Sequence, residues 1–271
     1  MQKLNTKEIK TLESYISLIE SLRPHYNRPL WFRGCGKLKY ELKPTLYRHI
    51  GSTNIDDYID LEKLLLSRFQ QRSIPFHNRS INDSWDWLFL MQHYGVPTRL
   101  LDWSESPLIA LFFAVILSQH KLGVRGKPVF NSDTSIWILD PIQWNKKAID
   151  LKKYSGSILT TDDLNASSYK PVADINTMKE FPIAIYGSHN SQRIVAQRGV
   201  FVCFGKDTRS MEIIYQKESF PVDCLQKLVI KKGKLPGIYE SLQRHGLTDS
   251  VVFPDLDGLA REIKREYNFE V

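Results

Sequence analysis

The chain has 271 residues, 42% hydrophobic and 25% charged, with a formal net charge of +7. That balance excludes a disordered, collagenous or coiled-coil chain. The longest apolar run, Pro107 to Leu117, is about half of the roughly 20 residues a membrane-crossing helix needs, so no membrane partner is expected.

Taken in chain order, Glu8 to Leu22 carries Ile9, Leu12, Tyr15, Ile16 and Ile19 at helical spacing. Met1 to Lys10 is polar and charged, unlike a signal peptide. Arg28 to Arg33 reads as a strand leading into Gly34. Asp56 to Arg72 reads as an amphipathic helix with Tyr58, Leu61, Leu65 and Phe69 on one face. A further helix, capped by Asn82, Asp83 or Ser84, runs to Tyr94 and stops at Gly95. Thr98 to Trp103 is extended. Ser106-Pro107 then opens a helix that is apolar almost all round and must be buried on most sides. Ser135–Leu139, Phe181–Tyr186, Arg193–Phe204, Glu212–Gln216 and Lys227–Lys231 read as strands, and Asp140 to Lys179 as loop with short helices. Leu235 to His245 is a helix stopped by Gly246, Val251 to Phe253 a last strand, and Asp255 to Tyr267 a closing helix. Helices grouped early and strands late make the fold class α+β, in a single domain spanning 1–271.

Several chemistries are set aside. The three cysteines, Cys35, Cys203 and Cys224, form no CxxC pair, which suits a reducing cytoplasm. The seven histidines form no HExxH pair, so no metal site is expected. Gly34-Cys35-Gly36 has Lys39 where a dinucleotide fingerprint needs its third glycine. Gly123 to Lys127 lacks the length and the hydroxyl residue of a phosphate-binding loop. No GxSxG is present.

Three segments carry candidate chemistry. In Trp31-Phe32-Arg33-Gly34, an arginine at a strand end can clamp phosphate oxygens and glycine permits close backbone approach; the same arginine could equally anchor strand to helix. Gln92 to Ser104 places polar, aromatic and hydroxyl groups on a helix end, a turn and a short strand. Here Asp102 could also simply pair with Arg99. In Arg193 to Phe201, Gln197 interrupts an apolar run and must find hydrogen bonds or cost about 1–3 kcal/mol. Charge is concentrated in two of these regions. Trp31 to Arg48 has five cations against Glu41, and Gly187 to Ser210 has four against Asp207, together equal to the whole net excess. Such patches favour phosphate-bearing partners.

At these residues the chain resembles the FRG domain family. The resemblance rests on Phe32-Arg33-Gly34, on Gln92 to Ala114, on Ala196 to Phe201 and on Val251 to Ala260, with a core of about 28–260 and a helical N-terminal extension over 1–27. More distantly, the order of strand arginine, polar triplet before an apolar helix, and later strand resembles the ADP-ribosyltransferase fold. That likeness implies N-terminal helices packed on a mostly antiparallel split sheet. It implies Arg33, Ser104 and Gln197 as catalytic residues, and Arg33, Gly34, His93, Tyr94, Thr98, Arg99 and Asp102 as residues binding NAD, which is consumed as substrate. It implies mono-ADP-ribosyl transfer to nucleic acid, RNA slightly favoured, or to protein, by a toxin-like effector of bacterial conflict or phage defence with a neutralising antitoxin partner. The departure is at Gln197, where that fold places a glutamate. The other class of function is a nucleotide- or nucleic-acid-binding module without catalysis.

Overall fold

The computed structural model describes residues 2–22, 29–77, 81–122, 128–150, 154, 156–171, 174–188, 191–267 and 269. Arg28 and the Gly123 to Lys127 segment lie outside the described residues.

The chain opens with strand β1 (Asn5–Ile9) and helix α1 (Leu12–Leu22). Ile9 is in register with a helix starting at Leu12, but it is buried in the strand, so the expected helix begins late. β2 (Trp31–Cys35) follows, then α2 (Ile55–Ser73) and α3 (Ser84–His93). The Asn54 side chain and Asp57 form a capping box on α2, and Asp83 caps α3. Gly95, with φ +75°, turns the chain away. β3 (Leu100–Ser104) leads into α4 (Pro107–Ile116), capped by Ser106. A hairpin, β4 (Gln119–Leu122) with β5 (Pro128–Phe130), precedes β6 (Thr134–Leu139) and α5 (Pro141–Ile149).

The last part alternates β7 (Ile183–Ile185), α6 (Gln192–Ala196), β8 (Gly199–Cys203), α7 (Met211–Lys217) and β9 (Leu225–Ile230), and ends in three helices, α8 (Leu235–Arg244), α9 (Asp249–Val252) and α10 (Leu256–Glu266). Three expected strands are corrected here. The first half of Arg193–Phe204 is helix α6, Glu212–Gln216 lies in α7, and Val251–Phe253 overlaps the end of α9. Short apolar runs of four or five residues do not distinguish helix from strand by periodicity.

Seven strands form one open sheet in the order β1-β9-β6-β2-β3-β8-β7, antiparallel except for the β1–β9 pair. The architecture is mixed α and β, and its central strands β2 and β3 come from the first half of the chain, not the last. Alternation along β6 sends Ile136 and Ile138 to one apolar cluster, with α1, α4 and α8, and Trp137 and Leu139 to another, with α3, α5 and α7. No helix of the described residues is long and apolar enough to cross a membrane.

Candidate functional site

The centre of the sheet is its weakest seam. β2 pairs with β6 along all five residues, yet meets β3 at one register pair, Phe32 with Ser104. A cavity of about 250 Å³ lies at this seam. Its polar lining includes Arg33, Gln92, His93, Asp102, Ser104 and Gln197, and Phe89, Phe113 and Phe201 supply apolar wall. The volume is just below the roughly 300–1,000 Å³ of ordinary ligand pockets, which suits one nucleoside-sized group.

Arg33 follows Phe32 and bridges the seam. Its Nη1 donates to the Asp102 carbonyl oxygen and stands 4.0 Å from the Asp102 carboxylate. Among the described residues its buried Nε has no hydrogen-bond partner. Gly34 lines the cavity and also serves a packing contact. A Cβ there would lie 2.0 Å from the Ala110 carbonyl oxygen and 2.5 Å from the Ala114 nitrogen. The missing side chain lets α4 lie directly on β2, which brings Ala110 and Phe113 to the cavity. The all-apolar α4 is accordingly buried at Ile109–Phe112, Ala114 and Val115.

A short relay orients Asp102. The buried Thr98 hydroxyl donates to Gln92 Oε1 at 2.5 Å, which fixes the amide so that Nε2 donates to Asp102 Oδ2 at 2.8 Å. Thr98 therefore acts one residue removed from the cavity and does not line it. Arg99 is not in the cavity either. It is fully buried, its Nε donates to both Glu62 oxygens at 2.9 and 3.0 Å, and its other nitrogens donate to the carbonyls of Phe204 and Tyr169, each at 3.0 Å. The Arg99–Asp102 pairing weighed from sequence is thus replaced by Arg99–Glu62. Tyr94 is 69% exposed outside the cavity, edge-on to His93 at 4.9 Å. His93 does line the cavity. Burial first, then the charge of Arg193, hold its imidazole below the ordinary range, against the opposing pull of Asp255.

Gln197 reaches the cavity from a different element than expected. It is the C-terminal cap of α6, not a strand residue, and Arg198 turns the chain into β8 at φ +46°. The Ser104 hydroxyl donates to the Gln197 carbonyl at 2.6 Å and accepts from the Ser106 nitrogen at 3.0 Å. Gln197 Nε2 donates to the Val252 carbonyl at 3.1 Å. The seam thus brings together Arg33, Gly34, His93, Asp102, Ser104 and Gln197, and leaves Tyr94, Thr98 and Arg99 outside. Sequence reasoning missed Arg193, which also lines the cavity. Its position in a basic run was the available signal, obscured by reading α6 as strand. Among the described residues no three His, Cys, Asp or Glu side chains gather as a metal-ligand group.

Residues 28–122 match the FRG domain family. The matched region holds Arg33, Gly34, the relay and Asp102 and Ser104, whereas α6, Gln197 and Val251 to Ala260 lie beyond it. Neither the curated proteins nor the solved structures yield a match.

Proposed function

We propose, from the premise that this chain carries an FRG domain over residues 28–122, that it is an NAD-dependent mono-ADP-ribosyltransferase working in the seam between β2 and β3. The observation that carries the reading is the placement of Arg33 on one lip of the cavity and of Asp102 and Ser104 on the other. In the transfer, the bond between C1′ of the ribose and the nicotinamide nitrogen breaks, and nicotinamide leaves with the electron pair. An acceptor nucleophile forms the new bond to C1′ and gives up its proton. The ribose passes through an oxocarbenium-like state, whose positive charge a fixed carboxylate stabilises. Gln197 cannot supply that charge. Asp102 can, because Gln92 holds its carboxylate in place at the cavity wall.

Arg33 takes the phosphate end. Its partly exposed guanidinium fork suits phosphate oxygens. The cavity takes the nicotinamide-ribose end between aromatic rings. Nucleic acid, RNA first, or protein serves as acceptor, and a toxin-like role in bacterial conflict or phage defence would require a neutralising partner.

The test is incubation of the chain with labelled NAD, with and without RNA or lysate. Release of nicotinamide with label transfer is expected, and Asp102→Asn should lower it by about 10²-fold, as for loss of one preorganised group. Absence of nicotinamide release under all these conditions overturns the reading. A second reading, a nucleotide- or nucleic-acid-binding module without catalysis, is favoured by one observation. The Ser104 hydroxyl is spent on the Gln197 carbonyl, and the Gln197 side-chain amide on the Val252 carbonyl. It predicts nucleotide binding with NAD left intact.

A further inference from the structure

The C-terminal run Val251 to Ala260 takes no part in the chemistry above, yet it closes on the same cavity. Gln197 is tied to the Val252 carbonyl. Phe253 stands edge-on to Phe113, a cavity residue, at 5.8 Å. Asp255 caps α10 by accepting from the Gly258 nitrogen at 2.7 Å. A Cβ on Gly258 would lie 1.9 Å from the Phe253 carbonyl oxygen, so only glycine lets α10 fold down onto Phe253.

Phe253 in turn carries Arg193. The Arg193 guanidinium lies 4.8 Å from the centre of the Phe253 ring, and that of Arg261 lies 4.2 Å from the same ring. Arg261 and Arg265 have a counter-ion in the buried Asp249, at 3.9 and 2.7 Å. Arg193 differs. Among the described residues its guanidinium has the Phe253 ring as its contact, and the carboxylates of Asp102 and Asp255 act on it only through space. It is partly buried at the cavity wall. A stacked guanidinium keeps its edge N–H groups free for a ligand. Burial, and then the charge of Arg261, work against the ionised form of Arg193, while the carboxylates of Asp102 and Asp255 favour it only from beyond ion-pair distance, so a bound anion in direct contact would stabilise it further. Two guanidinium groups, Arg33 and Arg193, therefore face one cavity that has Asp102 as its lining carboxylate.

We infer that Arg193 is a second phosphate-binding residue of this cavity, gripping a nucleoside diphosphate group together with Arg33, and that Phe253 is the positioning residue that aims it. The inference rests on the nucleotide site proposed above and assigns a function to the C-terminal run. The arm built by Phe253, Asp255 and Gly258 completes a site whose other half lies within residues 28–122.

The experiment is calorimetric titration of the full chain with ADP-ribose and, separately, with inorganic pyrophosphate. Arg193→Gln should weaken both by roughly 10- to 100-fold, the range for losing charged hydrogen bonds, and should flatten the salt dependence of binding. Arg193→Lys should recover only part of the affinity, because lysine lacks the fork. Phe253→Leu should weaken binding by about 2- to 5-fold, as expected for a lost cation–π contact, with the salt dependence retained. Equal ADP-ribose affinity in Arg193→Gln and the unmodified chain overturns the inference and leaves the transferase reading standing. Absence of any ADP-ribose or pyrophosphate binding by the unmodified chain overturns both. Arg193-dependent binding without nicotinamide release from NAD supports the inference and overturns the transferase reading alone.

Discussion

Arg33 and Arg99 sit on and just before neighbouring central strands, and both belong to polar runs that look alike in sequence. Their surroundings are opposite. Arg99 is fully buried and each guanidinium nitrogen has an acceptor, with Glu62 supplying the charge. Burial alone would push its guanidinium toward the neutral form; Glu62 more than offsets this and keeps it charged. Arg33 is partly exposed at the seam, and among the described residues its carboxylate neighbour is Asp102, 4.0 Å away. A saturated arginine holds a fold together, whereas an unsaturated one at a cavity is available to a ligand.

The most severe way to break the comparison is to unpair Arg99. Removing one partner of a buried pair costs about 3–5 kcal/mol. Arg99→Met should therefore abolish or severely reduce cooperative folding in urea. The double variant Arg99→Met with Glu62→Leu should recover part of that loss, since apolar replacements of a buried pair are often neutral while the Phe204 and Tyr169 carbonyls still lack their donor. If Arg99→Met alone folds with unchanged stability and loses NAD binding instead, the two arginines have been assigned the wrong way round. Next in size is Gly34→Ala. The added methyl would meet the α4 backbone, which cannot yield like a side chain, so about 1–3 kcal/mol of overpacking cost is expected. A stability loss in denaturant with ligand affinity retained in the folded fraction would assign this glycine to the helix contact.

The contrast between these arginines was only half legible in the sequence. Arg33 on a strand, the Ser106-Pro107 opening of α4 and the Asp83 cap of α3 were readable, because caps and apolar periods are local. The partner of Arg99 was not. Glu62 lies 37 residues upstream in α2, one position along from the face read as apolar, where Tyr58, Ile59, Glu62 and Leu66 are in fact buried. Arg193 was hidden for another reason. The Ile194-Val195 pair has the β-branched composition of a strand, while the Ser191 cap and tertiary packing make it a turn of helix. The resemblance was visible at Phe32-Arg33-Gly34, but its glycine serves the α4 contact as much as any ligand.

Arg33→Lys separates charge from geometry. It removes the bond to the Asp102 carbonyl and the bidentate fork while keeping one positive charge. The expected result is a folded chain, about 1 kcal/mol less stable at most, with NAD or ADP-ribose affinity lowered by roughly 10- to 100-fold, as for lost charge-assisted hydrogen bonds. Full affinity in Arg33→Lys would make Arg33 a simple counter-charge and erase its distinction from a structural arginine.

The smallest effect belongs to His93, and it tests the electrostatics of the cavity directly. Burial and then Arg193 hold its imidazole below the usual value, while Asp255 pulls the other way. A histidine whose folded pKa lies below its unfolded value of about 6.5 binds fewer protons folded than unfolded in the window between them. Stability therefore rises with pH through that window, is complete above it and is lost as pH falls toward the folded pKa. The ring is partly exposed and water screens the field, so the change in stability is slight, and the titration itself is the better measurement. The imidazole resonances should titrate below the ordinary histidine range in the unmodified chain. In Arg193→Gln they should move upward, because one of the two causes of the depression has been removed. In Arg99→Met with Glu62→Leu they should not move, because that pair is buried outside the cavity that His93 lines. An unchanged His93 titration in Arg193→Gln would place Arg193 away from the cavity wall and remove it from the group of unsaturated arginines.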